Sequence, residues 1–449
     1  MMKKSWALYI QLMLLFLLVA PTGTVRAELN YETLTLRLYN AQKWDSLIII
    51  GEEAINKGFD YYFMRVRVGT AAFEKQQYNR AIRHLEKAIQ FNSHEPYPYR
   101  MLYKALQYSN RKNEARLLLR KIPSESGISD QRPLLYMEMG PAFSNHAMAY
   151  DKNKETDPGT YSEVYLNRNS QYFLAGIAQP IGRRYQIQAA VARLNFNKRR
   201  IVNINYYDPN TGTLYPIDSL SGNYNVSEWE FYLSPSVILN KHFSISPAFR
   251  LINVTLTNPL TSEDSIVSRL IGSSEKMDYN DYAGGGEVSY QNAYGSLSAG
   301  VWRIHVDKMD FTQISGTLFL TPFGNLNLYS SSTLSQKTGQ SESNYTFNQM
   351  IGGRVYRKLW AEVFYTWGDL SKSTEQNAQV IYNAFDVTTS RTGSMLILNI
   401  SDYLKFSLRY QLYFREGTEL FYPAQGSPSI FTYNYINQSI TGGITWKLH

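Results

Sequence analysis

From residue 134 to the end, the chain is built of short segments in which apolar and polar residues alternate, joined by glycine- and asparagine-containing turns. Leu404, Phe406, Leu408, Tyr410, Leu412 and Phe414 fall on one side of an extended backbone; Lys405, Ser407, Arg409 and Gln411 fall on the other. Successive side chains of a strand point to opposite faces. In water that pattern makes a half-buried strand, apolar inward. In a bilayer it inverts, with the apolar face outward around a polar lumen. The solvent around these strands governs the rest of the fold, and three further features decide it.

The first is the start, MMKKSWALYIQLMLLFLLVAPTGTVRA. Lys3 and Lys4 precede an apolar run over residues 6–20, and Val25 and Ala27 fill the small-residue positions before a cut between Ala27 and Glu28. Residues 1–27 therefore read as a cleaved signal peptide. As a membrane anchor the run is short for a bilayer core of about 30 Å, and Gln11 interrupts it. The second feature is the absence of cysteine, which excludes disulfides and a lipoprotein-type anchor. No later apolar run approaches the roughly 20 residues of a helical span. An integral chain of this kind must be a closed barrel, because open edges cannot be satisfied in lipid. The third is the 36 Tyr, 21 Phe and 7 Trp in a chain of mean hydropathy −0.34. Amphipathic rings in that number suit the interface girdles of a barrel.

Charge divides along the chain. Residues 28–132 carry 17 basic and 12 acidic groups, whereas residues 133–449 carry 25 of each. A neutral barrel with mixed-sign lining follows, and no nucleic-acid partner, which would need a basic groove.

At an offset of 34 residues three segments align: QKWDSLIIIGEEAI, QQYNRAIRHLEKAI and NRKNEARLLLRKI. Trp44, Tyr78 and Lys112 coincide, as do Leu47, Ala81 and Ala115, and Ala54, Ala88 and Ile122. Gly69, Ala81, Leu85 and Ala88 have the small and apolar spacing that lets two helices cross closely. This stretch resembles the tetratricopeptide repeat (TPR), which implies a short helical solenoid over 28–122. Its third copy is basic, and Arg100, Lys104, Arg111, Lys112, Arg116 and Arg120 are candidates for docking an acidic protein partner, a glycan or a headgroup, with a solvated terminal cap as the alternative. PSESGISDQRP, 123–133, reads as a linker.

Alternation and turn signals place strands near 134–146, 168–182, 184–201, 224–240, 242–257, 282–293, 295–306, 311–322, 325–336, 344–357, 359–369, 379–400, 403–415 and 433–448. Connections alternate in length. Tight ones fall at Gly182-Arg183, Asn240-Lys241, Ala293-Tyr294-Gly295, Pro322–Asn325, Arg357-Lys358 and Ser401-Asp402; longer polar ones include 203–222, 258–280 and 416–432. Short turns on one side and long loops on the other are the habit of outer-membrane barrels. The expectation is an α+β multidomain chain: a TPR solenoid, then a transmembrane antiparallel β-barrel over 134–449 of about 14 strands, 12 or 16 being alternatives. The ending TGGITWKLH resembles the terminal assembly signal of such barrels, with Thr441, Gly443, Trp446 and Leu448 in its places and His449 one residue beyond. That implies outer-membrane lipid and the barrel-assembly machinery as partners.

Chemistry is sparse. His146, beside Ser144 and Asn145, and His305, beside Asp307, are the histidines that could serve a lipase-like or deacylase-like site near the bilayer boundary. No two histidines have ligand spacing, so neither metal nor cofactor is expected. The glycine runs 284–286 and 352–353 lie inside strand patterns and read as close packing or bulges. On the polar faces stand Glu228, Glu230, Arg354, Glu362, Lys405 and Arg409, lumen-facing candidates for a sugar or other polar solute, or simply for pairing across the barrel.

A signal peptide, a few such repeats and a terminal barrel resemble the YaiO-type outer-membrane proteins, in segments such as YFLAGIAQPIGRRYQI and ITGGITWKLH. More distantly the order is similar to exopolysaccharide export porins. The resemblance implies a non-enzymatic barrel in the outer membrane with periplasmic repeats that dock a partner, acting in transport or assembly of surface glycan. A lipid-modifying enzyme and a structural anchor presenting the repeats are the competing readings.

Overall fold

The computed structural model describes residues 30–122, 132–154, 159–257, 260, 276–339 and 342–448. The signal peptide, residues 123–131 of the linker and His449 lie outside the described residues.

Among the described residues six helices come first: α1 (Tyr31–Asn40), α2 (Trp44–Asn56), α3 (Tyr62–Glu74), α4 (Tyr78–Phe91), α5 (Pro96–Tyr108) and α6 (Lys112–Leu118). Trp44, Tyr78 and Lys112, aligned above by the 34-residue offset, each open a helix. Each of these helices follows a residue in the left-handed conformation, Gln42, Gln76 and Asn110, with φ between 53 and 61°. Successive helices pack through Leu47, Ala81, Leu85, Leu102, Leu106 and Ala115, all buried. A Cβ on Gly69 would stand 2.9 Å from Leu85 Cγ, so α3 and α4 approach as closely as they do because that position has no side chain.

A single antiparallel sheet then closes on itself. Its fourteen barrel strands are β1 (Leu134–Ser144), β2 (Tyr161–Ile181), β3 (Tyr185–Asp208), β4 (Thr213–Ile238), β5 (Phe243–Thr257), β6 (Lys276–Gln291), β7 (Gly295–Val306), β8 (Met309–Leu320), β9 (Leu328–Gly339), β10 (Glu342–Tyr356), β11 (Leu359–Trp367), β14 (Val387–Asn399), β15 (Leu404–Tyr422) and β16 (Ser429–Lys447). β1 seals the barrel against β16, Leu134 opposite Lys447. Between β1 and β2 lies α7 (His146–Asn153); between β11 and β14 lies a small hairpin, β12 (Thr374–Glu375) and β13 (Val380–Ile381).

The wall is apolar outside. On β4, Trp229, Phe231 and Leu233 are exposed while Glu228 and Glu230 are buried; β11 exposes Val363, Tyr365 and Trp367, and β16 exposes Ile440, Ile444 and Trp446. An apolar band around a polar interior is the arrangement lipid requires. No described helix is long and apolar enough to cross a membrane.

The six expected tight turns all connect strands at one end, here the turn end. The loop end departs from expectation. Residues 203–222 are mostly strand, β3 and β4 continuing as a ribbon to the pair Asp208–Thr213. Likewise β15 and β16 shrink the expected loop 416–432 to 423–428. Both faces of such ribbons carry polar residues, so strand and loop look alike in composition. Of the strand expected over 379–400, only 387–399 joins the wall. Its first part folds inward.

Candidate functional site

That inward segment, residues 368–386, shapes the lumen. At its tip Gln376, Asn377 and Ala378 take left-handed conformations, φ 53 to 62°. Gln313 on β8 holds the near arm as a surrogate strand: its Nε2 donates to Thr374 O at 2.8 Å, and Thr374 N donates to its Oε1 at 2.9 Å. Asn377 Nδ2 donates to Ser234 Oγ at 3.1 Å, and Tyr232 OH donates to Asn377 O at 3.2 Å. Ser234 is four residues from the end of β4 at the turn end, so the tip reaches deep into the barrel. Arg250 donates to Gln379 O and pairs with Glu230; Arg391 pairs with Glu375 at 2.9 Å. Ala378 and Ile381 join a buried cluster with Ala190, Ala283, Trp302 and Ile304. A barrel of this size therefore has an apolar core inside its lumen, built around one inserted hairpin.

Beside the hairpin a cavity of about 1300 Å³ remains. Register places Tyr172, Leu194, Glu228, Val254 and Tyr279 in one row across β2 to β6. Of these, Tyr172, Leu194, Glu228 and Tyr279 line the cavity, as do Lys198 and Phe196. Most lumen charges are spoken for: Arg409 meets Glu138 at 3.3 Å, and Glu362 accepts from Tyr329 OH at 2.6 Å. Glu228 differs. It is 6% exposed, and its Oε2 has no hydrogen-bond partner among the described residues. Lys198, on the neighbouring strand, makes no ion pair within 4.0 Å among them. A buried carboxylate oxygen without a donor is costly.

The other candidates fall elsewhere. Arg354 and Lys405 stand at the turn end; Arg354 Nη2 donates to Gln76 Oε1 at 2.6 Å. On the helices, Arg100, Lys104, Lys112 and Arg120 are exposed, Arg111 pairs with Glu114 at 2.7 Å, and Arg116 is buried against the barrel, its Nη2 donating to Tyr185 O at 2.6 Å. Of the assembly-signal residues, Thr441 points inward and lines the cavity, and Trp446 points outward.

The two histidines weighed as catalysts have other work. His146, at the start of α7, is fully buried. Its ring stacks on Tyr435 at 3.7 Å, Nδ1 accepts from Asn167 N at 3.0 Å, and Nε2 meets Tyr433 OH at 2.8 Å. Burial, with Arg415 and Lys198 nearby, pushes its pKa down to about 3, so its 3.9 Å approach to Asp386 joins a neutral ring to the carboxylate. Asp386 in turn accepts from Tyr435 OH at 2.6 Å and Asn167 Nδ2 at 2.9 Å. The cluster ties the root of the inner hairpin to α7, β2 and β16. His305 meets Asp310 at 3.0 Å and stacks on Tyr282. Among the described residues neither ring meets a serine hydroxyl. Sequence reasoning missed Gln313, Asp386 and the hairpin, whose partners lie 49 to 219 residues away.

No protein-family model matches the chain, and no curated protein matches it in sequence. Solved structures similar to it include the Pseudomonas putida toluene transporter TodX, 6% identical with a TM-score of 0.43, covering 72% of this chain and 91% of that one. A Pseudomonas aeruginosa FadL homologue is 8% identical at 0.41, covering 71% and 91%; a bacterial polysaccharide outer membrane secretin is 9% identical at 0.34, covering 72% and 100%. Likeness at this level brings neither solute nor mechanism to this chain.

Proposed function

We propose that the protein is an outer-membrane barrel that binds and passes a hydroxyl-rich solute, a glycan unit, through a lumen narrowed by the inner hairpin. In this reading the turn end and the helices face the periplasm and the loop end faces outward. The 34-residue helix-pair spacing supports a tetratricopeptide-type array, and the overall order supports a place beside the YaiO-type proteins.

The carrying observation is the cavity wall. The Glu228 carboxylate, which lines the cavity, accepts hydroxyl hydrogens, the Lys198 ammonium donates to hydroxyl oxygens, and the rings of Tyr172, Phe196 and Tyr279 offer faces for sugar C–H groups. About 1300 Å³ exceeds the roughly 300–1,000 Å³ of a drug-sized pocket, which leaves room for more than one sugar ring. Apolar solutes have less to meet, because the hairpin already covers the lumen's apolar cluster.

Purified full-length protein in planar bilayers tests this. Neutral oligosaccharides at millimolar concentration should interrupt the current and quench tryptophan fluorescence, and Glu228→Gln should weaken both. Protein whose current and fluorescence ignore every saccharide tried would refute the glycan assignment. The exposed Arg100, Lys104 and Arg120 favour a second role for the helices, docking an acidic periplasmic partner, which co-purification with and without charge reversal at these positions would check.

A further inference from the structure

The helices reach the barrel through matching positions of two repeats. In the second helix pair, Gln76 is the left-handed turn residue and Asn79 lies in the first turn of α4; in the third pair, 34 residues on, Asn110 and Asn113 hold the same places before and within α6. All four touch the turn end. Gln76 O accepts from Asn325 Nδ2 at 3.2 Å, and Gln76 Oε1 from Asn327 Nδ2 at 2.7 Å and Arg354 Nη2 at 2.6 Å. Asn79 Nδ2 donates to Ala293 O at 3.0 Å. Asn110 O accepts from Gln291 Nε2, and Asn113 N donates to Gln291 Oε1 at 3.4 Å. Arg116 completes the seat on Tyr185 O and Gln186 Oε1.

These contacts run from β3 through the β6–β7 and β8–β9 turns to β10, an arc of half the rim whose two ends face each other across the mouth. Tyr185 and Gln186 open β3, Gln291 and Ala293 mark the β6–β7 turn, Asn325 and Asn327 the β8–β9 turn, and Arg354 the end of β10. In the closed order of fourteen strands, β3 and β10 are seven apart, which puts them on opposite sides. Strands about 4.8 Å apart and tilted about 40° make such a mouth about 28 Å wide. Helices about 10 Å in diameter, packed side by side and fastened at both edges, lie across it.

The interface is polar. Among the described residues no apolar cluster combines side chains of α1–α6 with those of the barrel. A contact made of hydrogen bonds to turn carbonyls and amides, without a shared core, holds a position and can still part.

We propose that the helical array is a reversible plug for its own barrel, seated across the turn-end mouth by equivalent positions of its second and third helix pairs. It closes the cavity on that side and must unseat for a solute to leave; in this it rests on the passage reading above. The occupant of the mouth is this chain itself, and any partner at the exposed basic face of α5 and α6 would act by drawing the plug away.

The test uses the full chain, whose lack of cysteine makes cross-linking clean. The inner hairpin is shortened in every variant, so that the plug alone controls current, and heat-modifiable migration on gels checks that each barrel has formed. Gln76→Ala, Asn79→Ala and Arg116→Ala together should raise conductance about tenfold over the hairpin-shortened parent. Asn79→Cys with Ala293→Cys, joined by a short cleavable bis-maleimide, should hold conductance at the parent's level, and cleavage should release it. A parent that already conducts as well as the unseated variant, with no response to the cross-link, would overturn the plug and leave passage standing. Folded barrels that conduct in no variant would overturn passage, and the plug with it.

Discussion

Single side chains in this barrel act mostly by what they pin. His146 has both ring nitrogens engaged and one face covered by Tyr435. Truncating it to Ala should cost about 3 kcal/mol, since it empties a buried site and orphans Tyr433 and the Asn167 amide. Its pKa is pushed below the ordinary value to about 3, so between that value and the unfolded value near 6.5 only the unfolded chain binds the proton. Stability is therefore complete above about pH 6.5 and declines as pH falls toward 3. Thermal melting of the barrel by the gel-shift assay should show this decline, and His146→Phe should flatten it; an unchanged slope in that variant would move the cause elsewhere. Glu228 is a different case: Asn383 and Lys198 stand beside its carboxyl, but its Oε2 makes no hydrogen bond among the described residues. Glu228→Leu removes a buried, unsatisfied oxygen and should leave the melting temperature equal or higher while weakening saccharide quenching about tenfold. A variant that melts early and still binds sugar would mean that the carboxylate serves the fold.

At the scale of the element, the inner hairpin was the least legible part of the chain. Val380 and Ile381 look like the start of a strand because they are β-branched and apolar, and they are strand, but inside the lumen. What turns them inward is a set of distant partners: Gln313 mimicking a strand edge, Arg250 reaching Gln379, Asp386 caught by Tyr435. None of these leaves a local trace. The tight turns were legible because Gly182, with φ 60°, and the Asn240 side chain, accepting from His242 N and Phe243 N, carry their geometry in residue type. Inward placement of Glu228 and Glu230 was legible for the same local reason, strict alternation against Trp229 and Phe231. The Gly352-Gly353 pair reads as close packing or a bulge, and a Cβ on Gly352 would stand 2.6 Å from the Tyr329 ring. Gly352→Val should then displace that ring from Glu362 and destabilise β9–β10 by about 1–3 kcal/mol, measurable in urea unfolding. For the hairpin, Gln313→Ala should free its near arm. Cysteines placed on the arm would then react faster with a soluble maleimide, without loss of barrel formation.

For the whole molecule the decisive matter is still the solvent outside the wall. Leu408 and Arg409 are neighbours on β15, one 52% exposed, the other inside with Glu138 at 3.3 Å. A soluble barrel with water on its outer face would accept Leu408→Arg almost without cost. A barrel in lipid would not: a lipid-facing arginine near the midplane costs about 2–4 kcal/mol. Arg409→Met makes the complementary case, because it leaves the outer face untouched and strands one partly exposed carboxylate, for which about 1 kcal/mol is expected. Folding both variants into vesicles and titrating with urea should therefore rank them with Leu408→Arg the worse. The same pair measured at Val363 and Glu362 on β11, two strands from β15, should give the same order. If Arg at the outward positions were tolerated as well as the inward substitutions, the exposed band of Trp229, Val363, Leu408 and Ile444 would not be facing acyl chains. The alternation that runs from residue 134 onward would then have to be explained by a partner protein wrapped around the barrel.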